Sequence, residues 1–281
     1  MEMIQRFGNY QLHELLNHGG MTEIWSASDA EGQLVALRRL QDHVLSGSAA
    51  PKLFKQGLAV LEKLPRHPNI VGLRDHGAVK GVPYMALDLI NGANLRELTL
   101  RADTVIQENV SDVIIGVADA LNHLHDHGWM HLDFKPENIM VDMRGQSYLI
   151  DFDTAQKIPS KPKVFDKIPG TPAYMAPEQL LGRPVDHRAD IYSFGATAYE
   201  LLTRHKPFVG NHPDDTRKNQ LDEYYPVPMA SKFNPAVPAR LNAILRQCLA
   251  YNPDRRYPNM TILNAQLHSA LGVETVSEAV G

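Results

Sequence analysis

Asp133, Lys135 and Asn138 share one short run, His131-Leu132-Asp133-Phe134-Lys135-Pro136-Glu137-Asn138. Thirteen residues beyond it stands Asp151 of Leu149-Ile150-Asp151-Phe152-Asp153. The set is three oxygen-bearing side chains and one cation, in short turns flanked by strand-like stretches. Phosphoryl transfer needs such a combination: a carboxylate to orient a hydroxyl, two hard oxygen ligands for magnesium, and a positive charge for the phosphate. Asp and Asn also favour turns on their own account. Four such residues at this spacing argue for the chemistry.

The elements that must position these turns change character along the chain. Residues 10–16, 24–28 and 34–40 read as strands, joined by Asn17-His18-Gly19-Gly20 and Asp29-Ala30-Glu31-Gly32 turns. Residues 51–64 suit a helix, 70–75 and 83–89 two further strands, and Asn91-Gly92 marks a break. Helices dominate after it. Val110, Val113, Ile114, Val117, Leu121 and Leu124 recur at helical spacing before Gly128, and Ile191, Phe194, Ala198, Leu201 and Leu202 trace a buried helix. Leu241, Ile244, Leu245 and Leu249 predict a third helix, and Leu263, Leu267 and Leu271 a fourth. A strand-rich part followed by a helical part is an α+β architecture.

Composition narrows the partners. With 281 residues, 43% hydrophobic and 21% charged, the chain can bury a core as one large domain or two lobes. A net charge of −4 gives no reason to expect nucleic acid or an anionic membrane as partner. Cys248, the single cysteine, excludes an internal disulfide and fits a reducing compartment. No apolar run approaches a membrane span and the N-terminus lacks a basic-then-apolar signal, so a cytoplasmic chain is expected. The i, i+2, i+4 spacing of His123, His125 and His127 cannot put all three on one helix face, which argues against a metal site there.

The order of motifs resembles a eukaryotic-type (Hanks-type) serine/threonine protein kinase domain over roughly residues 10–271. Gly170-Thr171-Pro172-Ala173-Tyr174-Met175-Ala176-Pro177-Glu178 is similar to the family's substrate-binding segment. Asp190-Ile191-Tyr192-Ser193-Phe194-Gly195 is similar to its buried anchoring helix, and His67-Pro68-Asn69-Ile70-Val71 to the turn after its upper helix. Arg256 stands where a partner for Glu178 is expected. The resemblance implies a bilobal fold, with a small antiparallel β-sheet N-lobe carrying one main helix at 1–90, a larger, mainly helical C-lobe at 91–272, and a flexible tail at 273–281. It implies that Asp133 orients the hydroxyl, that Lys135 and Arg38 act on the transferring phosphate, and that Asn138 and Asp151 hold Mg2+. Leu16, Gly19, Ile24, Ala36, Arg38, Asp88, Ile90 and Met140 would contact ATP, with Leu87 at the back of the pocket.

Four departures from the family pattern bear on activity. Asn17 and Thr22 stand where glycines usually lie in the phosphate-covering loop, leaving Gly19 in register with Gly20 beside it, a pair that can supply positive φ. Arg38 replaces the strand lysine, and the helix glutamate that pairs with it falls on Gly57. Changing both together is coherent, because a buried charge without its partner is costly. Asp153 replaces the glycine after Asp151-Phe152 and adds negative charge near the metal. Leu132 replaces the arginine that docks a phosphorylated loop, so phospho-control is not expected, and Thr171 is expected to contact Asp133 rather than serve as a phosphosite. The expectation is a protein kinase of reduced activity, monomeric or weakly dimeric, with a protein as substrate or regulated partner. The alternative is a pseudokinase that senses nucleotide or acts as a scaffold. Asp-Phe-Asp also resembles the metal loop of small-molecule kinases, which lack the 170–178 segment.

Overall fold

Alternation in Leu34-Val35-Ala36-Leu37-Arg38-Arg39-Leu40 sends Val35 and Leu37 to one face of a strand, and Ala36, Arg38 and Leu40 to the other. In the computed structural model, which describes residues 5–165, 170–210 and 212–272, this strand lies inside a six-stranded antiparallel sheet. The sheet comprises β1 (Gln5–Phe7), β2 (Tyr10–His18), β3 (Thr22–Ser28), β4 (Leu34–Leu40), β5 (Leu73–Val79) and β6 (Val82–Asp88), in the order β1-β2-β3-β4-β6-β5. Phe7, Leu12, Ala27, Val35, Leu37 and Ala86 form the core on one face. On the other, Leu40 and Met85 pack with Val44, Ala50 and Phe54, the last two from helix α1 (Ala50–Lys63). With both faces covered, β4 is fixed in register, which matters because it carries Arg38.

The strand expected at 70–75 begins later, at Leu73. The Ile70 N–H donates to the His67 carbonyl at 3.1 Å, closing a turn that keeps Ile70 and Val71 buried but outside the ladder. The turn between β2 and β3 also differs from expectation. Gly19 and Gly20 are not among the positive-φ residues. The turn closes instead through Gly19 N–H to the Thr22 carbonyl at 3.0 Å, while Gln41 donates through Nε2 to the Gly19 carbonyl at 2.5 Å and through its backbone N–H to the Met21 carbonyl at 3.0 Å.

The chain divides into two compact units: the residues through Asn91 together with Ile150–Asp153, and Gly92–Leu149 with the remainder from Thr154. In the second unit, β7 (Gly92–Asn94), β9 (Ile139–Asp142) and β10 (Ser147–Leu149) form a small sheet, and β8 (Trp129–Met130) pairs with β11 (Gln156–Lys157). Helices α2 (Leu95–Arg101), α3 (Thr104–Asp126), α4 (Pro177–Leu180), α5 (Arg188–Thr203), α6 (Pro213–Gln220), α7 (Ala239–Cys248) and α8 (Met260–Leu271) belong to the same unit. Asn94, Asp103 and Asn259 cap α2, α3 and α8 through their side-chain oxygens. Helix α5 is buried on nearly every side, with Ile191, Tyr192 and Phe194 fully enclosed. Its Gly195 admits α7, since a Cβ there would lie 2.6 Å from that of Cys248. No helix among the described residues is long and apolar enough to cross a membrane. The tail expected at 273–281 lies outside the described residues.

Candidate active site

Helix α5 builds the loop that holds Asp133. The Asp190 carboxylate, fully buried, accepts the backbone N–H groups of His131 and Leu132, both at 2.7 Å, and lies 2.8 Å from His125 Nε2. Burial pushes this carboxyl up, but the His125 hydrogen bond and charge, the His131 ring and the Leu132 N–H together hold it below the ordinary carboxylate range. From α4, Gln179 Nε2 donates to the Leu132 carbonyl at 3.2 Å, and Thr154 Oγ1 donates to that of His131 at 2.9 Å. These contacts hold Leu132 at φ +66°, a left-handed conformation in which a branched residue is strained. Its side chain is buried rather than offered to an activation loop.

Asp133, delivered by that turn, gathers donors from three sides. Lys135 Nζ donates to its Oδ2 at 2.7 Å and to Thr171 Oγ1 at 2.9 Å. The Thr171 backbone N–H reaches Asp133 Oδ1 at 3.2 Å, so Thr171 does contact the aspartate. Asn138 Nδ2 donates to the Asp133 carbonyl at 2.9 Å and to Oδ2 at 3.2 Å. With its NH2 directed at Asp133, Asn138 has the amide oxygen as its group to offer a cation. The segment carrying Thr171 is fixed in turn: Ser193 Oγ donates to the Tyr174 carbonyl at 2.8 Å and Gln220 Nε2 to that of Met175 at 2.6 Å. At its end, Arg256 clasps Glu178 in a buried two-point pair, Nη1–Oε1 2.6 Å and Nη2–Oε2 2.8 Å.

In the sheet unit, Arg38 is buried and grips Asp153 in the same two-point manner, Nη1–Oδ1 2.8 Å and Nη2–Oδ2 2.6 Å. Asp151 Oδ1 lies 3.5 Å from Arg38 Nη2, and the Phe54 ring of α1 lies 5.4 Å from the guanidinium carbon. Burial works against the Arg38 charge, but Asp151 and Asp153 outweigh it and hold its pKa above the ordinary value. Burial pushes the Asp153 carboxyl up, and the guanidinium is what opposes that push. Asp151 carries the left-handed backbone here, at φ +62°, and Asp153 does not, so replacing glycine at 153 strains no turn. The side chain of Asp151 is 39% exposed against 6% for Asp153, which leaves Asp151 as the carboxylate open to a cation. An amide oxygen and a carboxylate are hard ligands suited to magnesium.

The residues expected around a nucleotide sort by the sheet register. Ile24 pairs across from Arg38, and Ala36 pairs with Leu87. Ile24, Ala36, Arg38 and Leu87 therefore share the face on which α1 packs. Leu16 and Gly19 are exposed at the end of β2 and in the turn after it, and Ile90 is half-buried just after β6. Asp88 has its N–H taken by the Gly72 carbonyl, and its carboxylate pairs with Arg66 at 2.7 Å and Arg74 at 2.6 Å. Met140, in the other unit, is half-buried on β9. Arg38, Asp151 and Asp153 are thus brought together in one unit, and Asp133, Lys135, Asn138 and Thr171 in the other.

Comparison with known proteins decides the family: the protein kinase domain matches residues 10–268, nearly the whole chain. The chain belongs to the protein kinase domain family. This kinase domain is 31% identical over 277 residues to the probable serine/threonine-protein kinase SCO3848 of Streptomyces coelicolor, covering 96% of this chain and 41% of that protein. It is also 31% identical to serine/threonine-protein kinase PknB of Mycolicibacterium smegmatis, covering 92% of this chain and 42% of the relative. It is 30% identical to serine/threonine-protein kinase PknE of Mycobacterium tuberculosis, with 95% and 47% covered. The chain thus spans less than half the length of these relatives. Three contacts of this kinase domain escaped the motif reading. They are His125 on Asp190, Gln179 on Leu132, and Arg38 on Asp153. The last had a visible signal, since losing an acid at 57 and gaining one at 153 leaves the local charge unchanged.

Proposed function

We propose that this kinase domain transfers the γ-phosphate of ATP to serine or threonine hydroxyls of a protein, in a magnesium-dependent reaction and at a reduced rate. The observation that carries the reading is the setting of Asp133, with Lys135, Thr171 and Asn138 all within 3.2 Å of its oxygens. Asp133 would orient the incoming hydroxyl and take its proton, a role worth roughly 10²–10⁴ in rate. Lys135, already between Asp133 and Thr171, would meet the negative charge of the phosphate. Asn138, through its amide oxygen, and Asp151 would hold magnesium, which supplies charge neutralisation when bound. Arg38 would face the nucleotide phosphates with the N–H groups that Asp153 does not use. The names of the relatives support serine/threonine rather than tyrosine substrates.

The experiment is incubation of the purified chain with Mg·ATP and a generic basic protein, with phosphosites located by mass spectrometry. Phosphoserine or phosphothreonine should form, and Asp133→Asn should remove it while ATP still binds. One observation favours a second reading, a nucleotide-sensing module without turnover: two Arg38 nitrogens are already committed to Asp153. Binding of Mg·ATP with no transfer, unchanged by Asp133→Asn, would select it.

A further inference from the structure

Position 57 is where α1 would be expected to present an acid to Arg38, and the space for that side chain is filled. A Cβ built at Gly57 would lie 2.4 Å from Asp153 Oδ1, 3.1 Å from its backbone nitrogen and 3.3 Å from its Cα. The oxygen it would strike is the one that accepts Arg38 Nη1 at 2.8 Å. Gly57 is buried within a helix, where glycine costs about 1 kcal/mol relative to alanine. Helix propensity does not explain the residue, and the carboxylate of Asp153 does.

We propose that Arg38, Gly57 and Asp153 are one device, an ion pair whose acid has moved from the helix to the metal loop, with Asp153 as the residue that positions Arg38 and Gly57 as the gap that admits it. The acid now sits two residues from Asp151, so Arg38 is tied to the loop that would carry magnesium rather than to α1. Helix α1 contributes the Phe54 ring to Arg38, while the carboxylates that meet the guanidinium come from Asp151 and Asp153. The setting of Arg38 would then follow the metal loop rather than a carboxylate carried by α1. This deepens the kinase reading, and rests on it for the kinetic arm below.

The test is a cycle of three variants: Asp153→Gly, Gly57→Glu, and both together. Asp153→Gly leaves Arg38 buried without its two-point partner, and Gly57→Glu alone drives a side chain into Asp153. Each single change should lower the melting temperature of the unliganded chain by about 5–15 °C. The double variant puts a carboxylate back beside Arg38 from the helix side, with only slight give needed at the 153 backbone. It should recover more than half of the summed loss, and kcat/KM for Mg·ATP should follow, falling roughly 10²–10³-fold in each single variant and returning at least about tenfold in the double. Additive melting shifts would overturn the proposal, as would an Asp153→Asn variant, which keeps the volume and removes the charge, that melts like wild type. Coupled melting with no phosphotransfer by the wild type or by any variant would uphold the pair and sink the kinase reading instead.

Discussion

The carboxylate of Asp190 holds the backbone N–H of Leu132 at 2.7 Å, and Leu132 keeps a left-handed φ of +66° one residue before Asp133. A buried helix thereby sets the direction of the proposed catalytic carboxylate. In Asp190→Asn, one acceptor remains and an amide NH2 is turned toward a backbone donor. We expect a loss of about 1.5–3 kcal/mol in unfolding free energy, measured by denaturant titration. Phosphotransfer should fall with no change in KM for ATP, because the displaced group is Asp133.

The same aspartate gives a pH dependence with a definite sign. Its folded pKa is below the unfolded value of about 3.9, so its stabilisation is fully present above that value and is lost as the pH falls through the folded pKa. Melting temperature recorded from about pH 7 to about pH 2 should drop below about pH 4 in the wild type. The Asp190→Asn curve should be shallower there, since one of the titrating carboxylates has been removed.

Arg256 and Glu178 are both buried and paired through two hydrogen bonds, with Arg256 also donating to the carbonyls of Ala250, Arg188 and Tyr251. Arg256→Ala strands a buried carboxylate and should cost about 3–5 kcal/mol. Glu178→Gln, which keeps the shape, should cost less. Calorimetric unfolding of the two variants checks the order.

Lys135 bridges Asp133 and Thr171 from a partly exposed position. Lys135→Ala should reduce kcat by roughly 10²–10³ while moving the melting temperature by no more than a few degrees. A large drop in stability with normal kcat per folded molecule would make Lys135 a structural residue.

The helical half of the fold and the turn around Asp133 were readable because their signals are local. Ile191, Phe194 and Ala198 repeat within one helix, and Asp133, Lys135 and Asn138 lie within six residues. The pair between Arg38 and Asp153 joins residues 115 apart, so the sequence ties the changes at 38 and 57 to each other but does not tie either to Asp153. Helix α6 was missed because its sequence, Pro-Asp-Asp-Thr-Arg-Lys-Asn-Gln, has no apolar stripe to betray it. The turn after β2 misled for another reason. Two glycines suggested positive φ, whereas Gln41 side-chain and backbone donors hold the turn without it.

If Arg38, held by Asp153 instead of a helix acid, still serves a working nucleotide site, the chain must bind ATP in a magnesium-dependent way. Calorimetric titration of ATP into the wild-type chain, with and without magnesium, tests this most directly. Saturable binding that strengthens with magnesium, and weakens at least about tenfold in Asp151→Asn through loss of a hard carboxylate ligand, is the expected result. No ATP binding in either condition would contradict it.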